Sequence, residues 1–314
     1  MTPRVARLLL STAAAPLART FTLLTFDVDG TLVKGSGQAA EASAHARAFA
    51  SAVGSVLGDG PPTPLPAEAL PGNLYHGSTD GLIVLRLAKA ALGIPASESA
   101  PRLPEIWRAM YEDVAVLSDA DAARGIEPLP GALESLRTLA GMRDRVVCGL
   151  VTGNVEGIAR KKMRAVGVLA TGALAPPAAE QAWDGENESA FLGGFGSDYC
   201  SGNVDDLKYN HLDRGEQIVI AARRARSVLP AGAALERVVH VGDAPGDVLA
   251  ARHCADERLL GDDVVVGCVG VATGSYSAAE LRDLAGAPRP GRWEPVILED
   301  GMADPAFLAA CGVE

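Results

Sequence analysis

The chain has 314 residues, a formal net charge of −11 and 48% apolar residues. This length allows one large α/β domain or a core with a second lobe, and the apolar fraction is ample for a packed core. The acidic balance argues against nucleic acid as a partner, because binding its backbone needs a dense lysine and arginine surface. A phosphorylated small molecule remains compatible, provided that a metal ion or helix N-termini offset nearby carboxylates.

The first residues have the composition of a targeting segment. Residues 1–26 include Arg4, Arg7 and Arg19 and no acidic residue, which resembles an organellar transit peptide. A short leader is the alternative, and residues 1–18 are assigned to one or the other. The five cysteines are an odd number without a C-x-x-C pair, and no apolar run reaches the length of a membrane span. These features favour an intracellular protein, cytoplasmic or organellar, without membrane association.

The first part of the chain is predicted to be one strand followed by helices. Residues 21–26 form an apolar strand, and five prolines mark residues 58–72 as a loop. Helices are predicted at 39–57, at 79–92 and around the apolar repeat of Ile106, Met110, Val114 and Leu117. Residues 34–126 are therefore expected to be a helical insert without a strand.

From residue 127 onward, strands alternate with helices. The alternation predicts an α/β fold with a parallel sheet that helices cover on both faces. Residues 182–212 are polar and contain glycine without a clear period, and they are open to interpretation as a lid or a surface excursion. The predicted elements are helices at 130–139, 154–166 and 217–229 and strands at 146–151, 237–241 and 264–271.

Three short polar motifs directly follow predicted strands. They are DVDGT at 27–31, TGN at 152–154 and GDAPGD at 242–247. Ligands of open parallel sheets bind beyond the carboxyl ends of the strands, so these motifs are expected to converge. Clustered carboxylates repel unless a cation lies among them, and an all-oxygen set suits Mg²⁺. The predicted metal ligands are Asp27, Asp29, Asp243 and Asp247.

The two aspartates of the first motif can divide the work of phosphoryl transfer. Asp27 is expected to attack phosphorus and form an aspartyl-phosphate. Asp29 is expected to protonate the leaving oxygen and then to deprotonate the attacking water. The Thr152 hydroxyl and the backbone N–H groups of Gly153 and Asn154, at a predicted helix start, form a candidate phosphate site.

The residues DVDGT, LVTGN and VVHVGDAPGD together resemble the motifs of the haloacid dehalogenase superfamily of phosphohydrolases. The resemblance implies a Rossmann-like, doubly wound parallel sheet core made of residues 19–33 and 127–314, with an α-helical cap at 34–126. It implies an Mg²⁺-dependent phosphatase of small phosphorylated metabolites. Because Asp29 is present, phosphate transfer is favoured over carbon–halogen cleavage.

The cap segment HGSTDGLIVLRLA is similar to that of phosphoglycolate phosphatase-like members, which makes phosphoglycolate the first substrate to try. In those members a Gly-x-Thr-Asp sequence faces the active site. Its counterpart here begins at Gly77 and makes Thr79 and Asp80 candidate substrate contacts. Alternatively, either residue caps the helix that follows.

One part of the family pattern is missing, because no Lys-Pro precedes the last motif. Arg214, within HLDRGEQIVIAARRA, is one candidate for the cation that bridges nucleophile and phosphate. Lys162 is the other, since by helical angle it lies on the apolar stripe beside Ile158 and Val166. The sequence does not choose between them.

Two other functions remain open at this stage. A phosphomutase would return the phosphoryl group from Asp27 to a sugar phosphate. A binding protein on the same fold is the non-catalytic alternative, although it would have no need for a cluster of like charges. The expected partner is a small phosphorylated molecule, and the oligomeric state is open.

Overall fold

A six-stranded parallel sheet lies at the centre of the computed structural model, which describes residues 19–35, 43–58, 78–174 and 191–313. Its strands stand in the order β5-β4-β1-β6-β7-β8, so β1 is central and the chain winds outward on both sides. Two further strands, β2 and β3, form an antiparallel ribbon. The strands are β1 (Thr20–Phe26), β2 (Val33–Gly35), β3 (Ile126–Pro128), β4 (Val146–Thr152), β5 (Gly193–Phe195), β6 (Ala234–Gly242), β7 (Val265–Val271) and β8 (Trp293–Leu298).

Helices cover both faces of this sheet. Leu24 and Phe26 of β1 belong to one apolar cluster, while Leu23, which points to the opposite face, belongs to another. This arrangement is the doubly wound α/β fold that the sequence predicts. The helices are α1 (Ala44–Leu57), α2 (Asp80–Leu92), α3 (Ala96–Ser99), α4 (Leu103–Ala115), α5 (Asp119–Ala122), α6 (Ala132–Ala140), α7 (Glu156–Ala165), α8 (Tyr209–Val228), α9 (Pro245–Asp256), α10 (Ala278–Ala285) and α11 (Phe307–Ala310).

The β2–β3 ribbon brackets the helical segment α1–α5. Val33 pairs with Pro128, and Lys34 pairs with Glu127, whose side chains form an ion pair at 3.2 Å. The prediction that residues 34–126 contain no strand is therefore wrong at both ends. The composition there gives no strand signal, but backbone pairing between β2 and β3 forms a short ribbon. The division into core and cap stays a prediction. Helices α1, α2 and α4 bury a third apolar cluster that also includes Val155 and Ile158 at the start of α7.

The segment 182–212 contains regular structure that the sequence does not predict. Strand β5 extends the sheet beside β4, and α8 begins at Tyr209, eight residues before the predicted start at 217. The leader at 1–18, the start of the predicted helix at 39–42 and most of the proline-rich loop lie outside the described residues. Within the part of the chain that is described, no helix combines the length and the apolar character needed to cross a bilayer.

Candidate active site

Three buried carboxylates meet beyond the carboxyl ends of two adjacent strands. Asp27 directly follows β1, and Asp243 and Asp247 follow β6, which pairs with β1. Carboxylate oxygens of all three residues lie within 4.8 Å of one another. The structure thus brings together three of the four aspartates that the sequence singles out, and their oxygens could hold a divalent cation.

Among the described residues, Arg214 of α8 is the arginine or lysine that contacts this cluster. Its Nη1 donates to Asp27 Oδ1 at 2.8 Å and to the carbonyl oxygen of Val151 at 2.9 Å. Its Nε lies 3.6 Å from Asp247 Oδ1. Burial raises the pKa of Asp27, and repulsion from Asp247 adds to this effect, although Arg214 pulls the pKa in the opposite direction.

The other two carboxylates have opposite pKa shifts. Burial raises the pKa of Asp243 well above its usual range, and repulsion from Asp247 and Asp27 contributes. Burial also opposes the ionisation of Asp247, but Arg214 and His240 outweigh it and lower its pKa. His240 Nε2 lies 3.1 Å from Asp247 Oδ1, and its Nδ1 lies 3.0 Å from Thr25 Oγ1. His240 is therefore a hydrogen-bonded core residue behind the cluster.

Asp29 points to a different cation. Lys162 Nζ lies 2.9 Å and 2.8 Å from the two carboxylate oxygens of Asp29, and Asn154 Nδ2 donates to Oδ2 at 3.0 Å. Partial burial opposes ionisation, but the Lys162 ammonium and the Asn154 hydrogen bond contribute to lowering the pKa of Asp29 to about 2. The Asp29 side chain is 48% exposed, so it faces an open space.

Lys162 has several partners in the site. Besides Asp29, its Nζ donates to Asn154 Oδ1 at 2.8 Å and lies 3.0 Å from His45 Nδ1. The sequence leaves Lys162 and Arg214 as rivals for one cationic position. The structure instead places each cation beside a different aspartate of the first motif, Lys162 beside Asp29 and Arg214 beside Asp27.

The TGN motif forms a turn between β4 and α7. Thr152 ends β4, is fully buried and accepts a hydrogen bond from the Asn154 backbone N–H at 3.4 Å. Helix α7 begins at Glu156, so Gly153 and Asn154 precede the helix and do not start it. A Cβ at Gly153 would lie 2.2 Å from the carbonyl oxygen of Ser78, which requires glycine where the turn packs against the start of α2.

Thr79 and Asp80 have different contacts at the start of α2. Thr79 caps the helix, since its Oγ1 accepts from the Leu82 backbone N–H at 3.3 Å. Asp80 Oδ2 accepts from the Val155 backbone N–H at 2.8 Å and lies 2.8 Å from His45 Nε2. Gly77 lies outside the described residues. Of the two candidates, Asp80 is the one that lines the pocket described below.

His45 is a site residue that sequence reasoning misses. It is the second residue of α1, stacks on Phe49 with ring centroids 4.9 Å apart, and joins Lys162 to Asp80. Its partners are 117 and 35 residues away in the chain. A single histidine in an alanine-rich helix has no spacing that would reveal such distant partners.

These groups surround one pocket of about 190 Å³ beyond the carboxyl ends of the strands. The turns after the strands form one wall, and helices α1 and α2 with Ser78 form the other. The lining residues are Asp27, Asp29, His45, Phe49, Ser78, Asp80, Ile83, Thr152, Gly153, Asn154, Arg214, Asp243 and Ala244.

Comparison with known proteins identifies the family. No curated protein sequence matches the chain. Similar solved structures include a hydrolase from Pseudomonas syringae (20% identity, 91% of this chain and 95% of that chain, TM-score 0.45) and CbbY from Rhodobacter sphaeroides in complex with phosphate (19%, 93% and 99%, 0.47). A HAD family hydrolase from Deinococcus radiodurans R1 with bound phosphate and sodium is also similar (18%, 93% and 97%, 0.38). The sequence model of the haloacid dehalogenase-like hydrolases matches residues 21–254, and the chain therefore belongs to that family of hydrolases.

Proposed function

We propose that this hydrolase is an Mg²⁺-dependent phosphatase that cleaves small phosphate monoesters through an aspartyl-phosphate at Asp27. The observation that carries the proposal is the surroundings of Asp27. Arg214 orients this carboxylate, two further carboxylates lie within 4.8 Å, and Asp29 lines the same pocket. A nucleophile, a neighbouring acid and a set of metal ligands are what phosphoryl transfer to a carboxylate requires.

The chemistry of the cluster supports Mg²⁺ as the cofactor. Asp27, Asp243 and Asp247 offer only oxygen ligands, and burial together with repulsion among these carboxylates raises the pKa values of Asp27 and Asp243, which a bound cation would counteract. The backbone carbonyl of Asp29 is assigned as a further ligand. When bound, the ion would neutralise charge on the transferring phosphoryl group.

Asp27 is the assigned nucleophile. Because Arg214 binds Oδ1, the carboxylate plane is fixed and Oδ2 is the oxygen that we assign to attack. A bond forms between Oδ2 and phosphorus as the bond from phosphorus to the leaving oxygen breaks. Thr152, Gly153 and Asn154 line the pocket beside Asp27 and are assigned to bind the phosphoryl oxygens.

Asp29 is the assigned acid and base. Lys162 keeps it ionised in the free protein, so it must take a proton from solvent before the leaving oxygen departs. A phosphoryl oxygen of the substrate competes with Asp29 for the Lys162 ammonium, which relieves the contact that lowers the pKa of Asp29. Asp29 then protonates the leaving alcohol and later takes a proton from the water that attacks phosphorus and frees Asp27.

Phosphate release from a panel of small phosphate monoesters, with Mg²⁺ or with EDTA, tests the proposal. We expect turnover with Mg²⁺, loss of turnover in EDTA, and a fall of about 10³-fold or more in Asp27→Asn. Asp113→Asn is the matched control, because Asp113 is an exposed carboxylate on α4 outside the pocket. If the wild-type protein releases no phosphate with Mg²⁺ from any compound, the proposal is wrong, and phosphomutase assays follow.

A further inference from the structure

The two walls of the pocket differ in their balance of charge. The wall formed by the strand ends has Arg214 beside Asp27 and Lys162 beside Asp29. The wall formed by helices carries the Asp80 carboxylate and, among the described residues that line the pocket, no lysine or arginine. Arg86 lies near this wall but donates to Ser78 Oγ, Asn210 Oδ1 and the carbonyl oxygen of Val204. The five lining residues of this wall, named here the helical wall, are His45, Phe49, Ser78, Asp80 and Ile83.

A backbone amide and a histidine ring hold the Asp80 carboxylate. Its Oδ2 accepts from the Val155 backbone N–H and contacts His45 Nε2. A lysine ammonium can only donate, so the contact between Lys162 Nζ and His45 Nδ1 makes Nδ1 the acceptor. The hydrogen on the other ring nitrogen, Nε2, is then donated to Asp80. The Asp80 carboxylate is therefore hydrogen-bonded but has no lysine or arginine partner in these contacts.

The internal segments outside the described residues have no lysine or arginine that could approach the helical wall. Residues 36–42, 59–77 and 175–190 contain no lysine or arginine. At the other wall, the charges of Asp27, Asp243 and Asp247 would be offset by Arg214 together with one divalent ion. That wall suits a phosphate dianion. At the helical wall, no lysine or arginine of the described residues and no assigned metal ion offsets the charge of Asp80.

We propose that the pocket selects phosphate esters of short, uncharged, hydroxyl-bearing alcohols and rejects esters that carry a carboxylate, with Asp80 as the residue that determines this preference. The inference rests on the proposed phosphatase activity and deepens it. A substrate hydroxyl can donate to the Asp80 carboxylate, and Phe49 and Ile83 offer apolar contact to the carbon atoms. A substrate carboxylate would face Asp80 as a like charge in the same pocket. The volume of about 190 Å³ is compatible with a short alcohol chain.

Three compounds of similar size test this preference, because they differ only at the end of the alcohol. They are 2-hydroxyethyl phosphate, ethyl phosphate and phosphoglycolate. We expect kcat/KM for 2-hydroxyethyl phosphate to exceed that for phosphoglycolate by about tenfold or more. Of the two substrates without a carboxylate, we expect ethyl phosphate to have the lower kcat/KM. Glycerol 1-phosphate and 3-phosphoglycerate form a second pair with the same difference in charge.

The Asp80→Asn variant tests whether Asp80 causes the substrate preference. The amide oxygen can still accept from Val155 and His45, so the fold is retained while the charge is removed. We expect the ratio of kcat/KM between 2-hydroxyethyl phosphate and phosphoglycolate to fall by about tenfold. Asp113→Asn should leave the ratio unchanged. Because both rates come from one preparation, the ratio does not depend on the folded fraction.

The outcomes separate this inference from the proposed function. If the wild-type protein cleaves the carboxylate-bearing member of either pair with the same kcat/KM as the member that lacks a carboxylate, the inference is wrong and the phosphatase proposal stands. If Asp80→Asn leaves the ratio unchanged, Asp80 does not determine the preference. If neither these pairs nor the wider panel releases phosphate, the proposed function is wrong and the inference fails with it.

Discussion

Arg214 Nη1 lies 2.8 Å from Asp27 Oδ1, and the two side chains are only 2% and 7% exposed. The same Nη1 donates to the carbonyl oxygen of Val151, so one guanidinium ties α8 to the ends of β1 and β4. A carboxylate buried to this extent destabilises the fold unless a cation or a proton accompanies it. The pair therefore supports both the fold and the position of the assigned nucleophile.

Removing the guanidinium should damage stability and activity together. We expect Arg214→Met to lower the free energy of unfolding by about 3–5 kcal/mol, because it leaves the neighbouring carboxylates without their cation. Phosphate release with Mg²⁺ should fall at least about 100-fold. Arg214→Lys is the control: it keeps the charge but cannot match the planar guanidinium, so it should lose less of both. Urea unfolding and kcat/KM measure the two effects, and an Arg214→Met protein as stable as wild type would contradict the expectation.

Magnesium should stabilise the protein more at pH 8 than at pH 5. The pKa values of Asp27 and Asp243 are raised in the folded state, so ionising them weakens the fold as pH rises above about 4. An ion that needs the ionised cluster binds more tightly at pH 8, and at a concentration 100 times its Kd it stabilises the folded state by about 2.7 kcal/mol. Thermal unfolding with Mg²⁺ and with EDTA at the two pH values measures the increment.

Two variants check the origin of this increment. Asp243→Asn removes one repelling charge, so without metal it should be at least as stable as wild type and should lose the Mg²⁺ increment. Asp113→Asn should keep the full increment, because Asp113 lies outside the cluster. An increment that persists in Asp243→Asn would place the bound ion elsewhere.

The sequence predicts the parts of the site that follow strands. Asp27, Thr152 and Asp243 each come directly after an apolar run, and parallel pairing brings the carboxyl ends of β4, β1 and β6 to one edge. Position in the chain is then enough to predict position in space. The burial of Lys162 is also predictable from the sequence, because its helical angle places it on the buried stripe of α7.

The sequence does not predict elements whose stability comes from distant contacts. The first two turns of α8 contain Asn210, Asp213 and Arg214, which are polar residues that face other segments, so no apolar period marks them. Strand β5 contains two glycines, which favour other conformations. Glycine is needed there because a Cβ at Gly194 would lie 2.0 Å from the carbonyl oxygen of Gln217.

Replacing Lys162 should change how stability depends on acid. The folded-state pKa of Asp29 is lowered to about 2, so its ionised form stabilises the fold above the unfolded pKa of about 4. That contribution is lost as pH falls from about 4 to 2. We expect Lys162→Gln to remove it, so the variant should lose less stability than wild type over this interval. Urea unfolding at several pH values measures the slopes, and parallel slopes for the two proteins would contradict the expectation.

Gly30 should be essential because it combines a backbone conformation with a close approach. Its φ is +89°, and a Cβ there would lie 2.2 Å from Asp243 Oδ2. We expect Gly30→Ala to cost about 1–3 kcal/mol of stability, to displace Asp243, and to abolish both phosphate release and the Mg²⁺ increment. Gly93→Ala is the matched control, since Gly93 has a φ of +70° but no atom within 4 Å of an added Cβ. It should lose stability through the backbone alone and keep its kcat/KM. Equal activity losses in the two variants would mean that contact with Asp243 is not what requires Gly30.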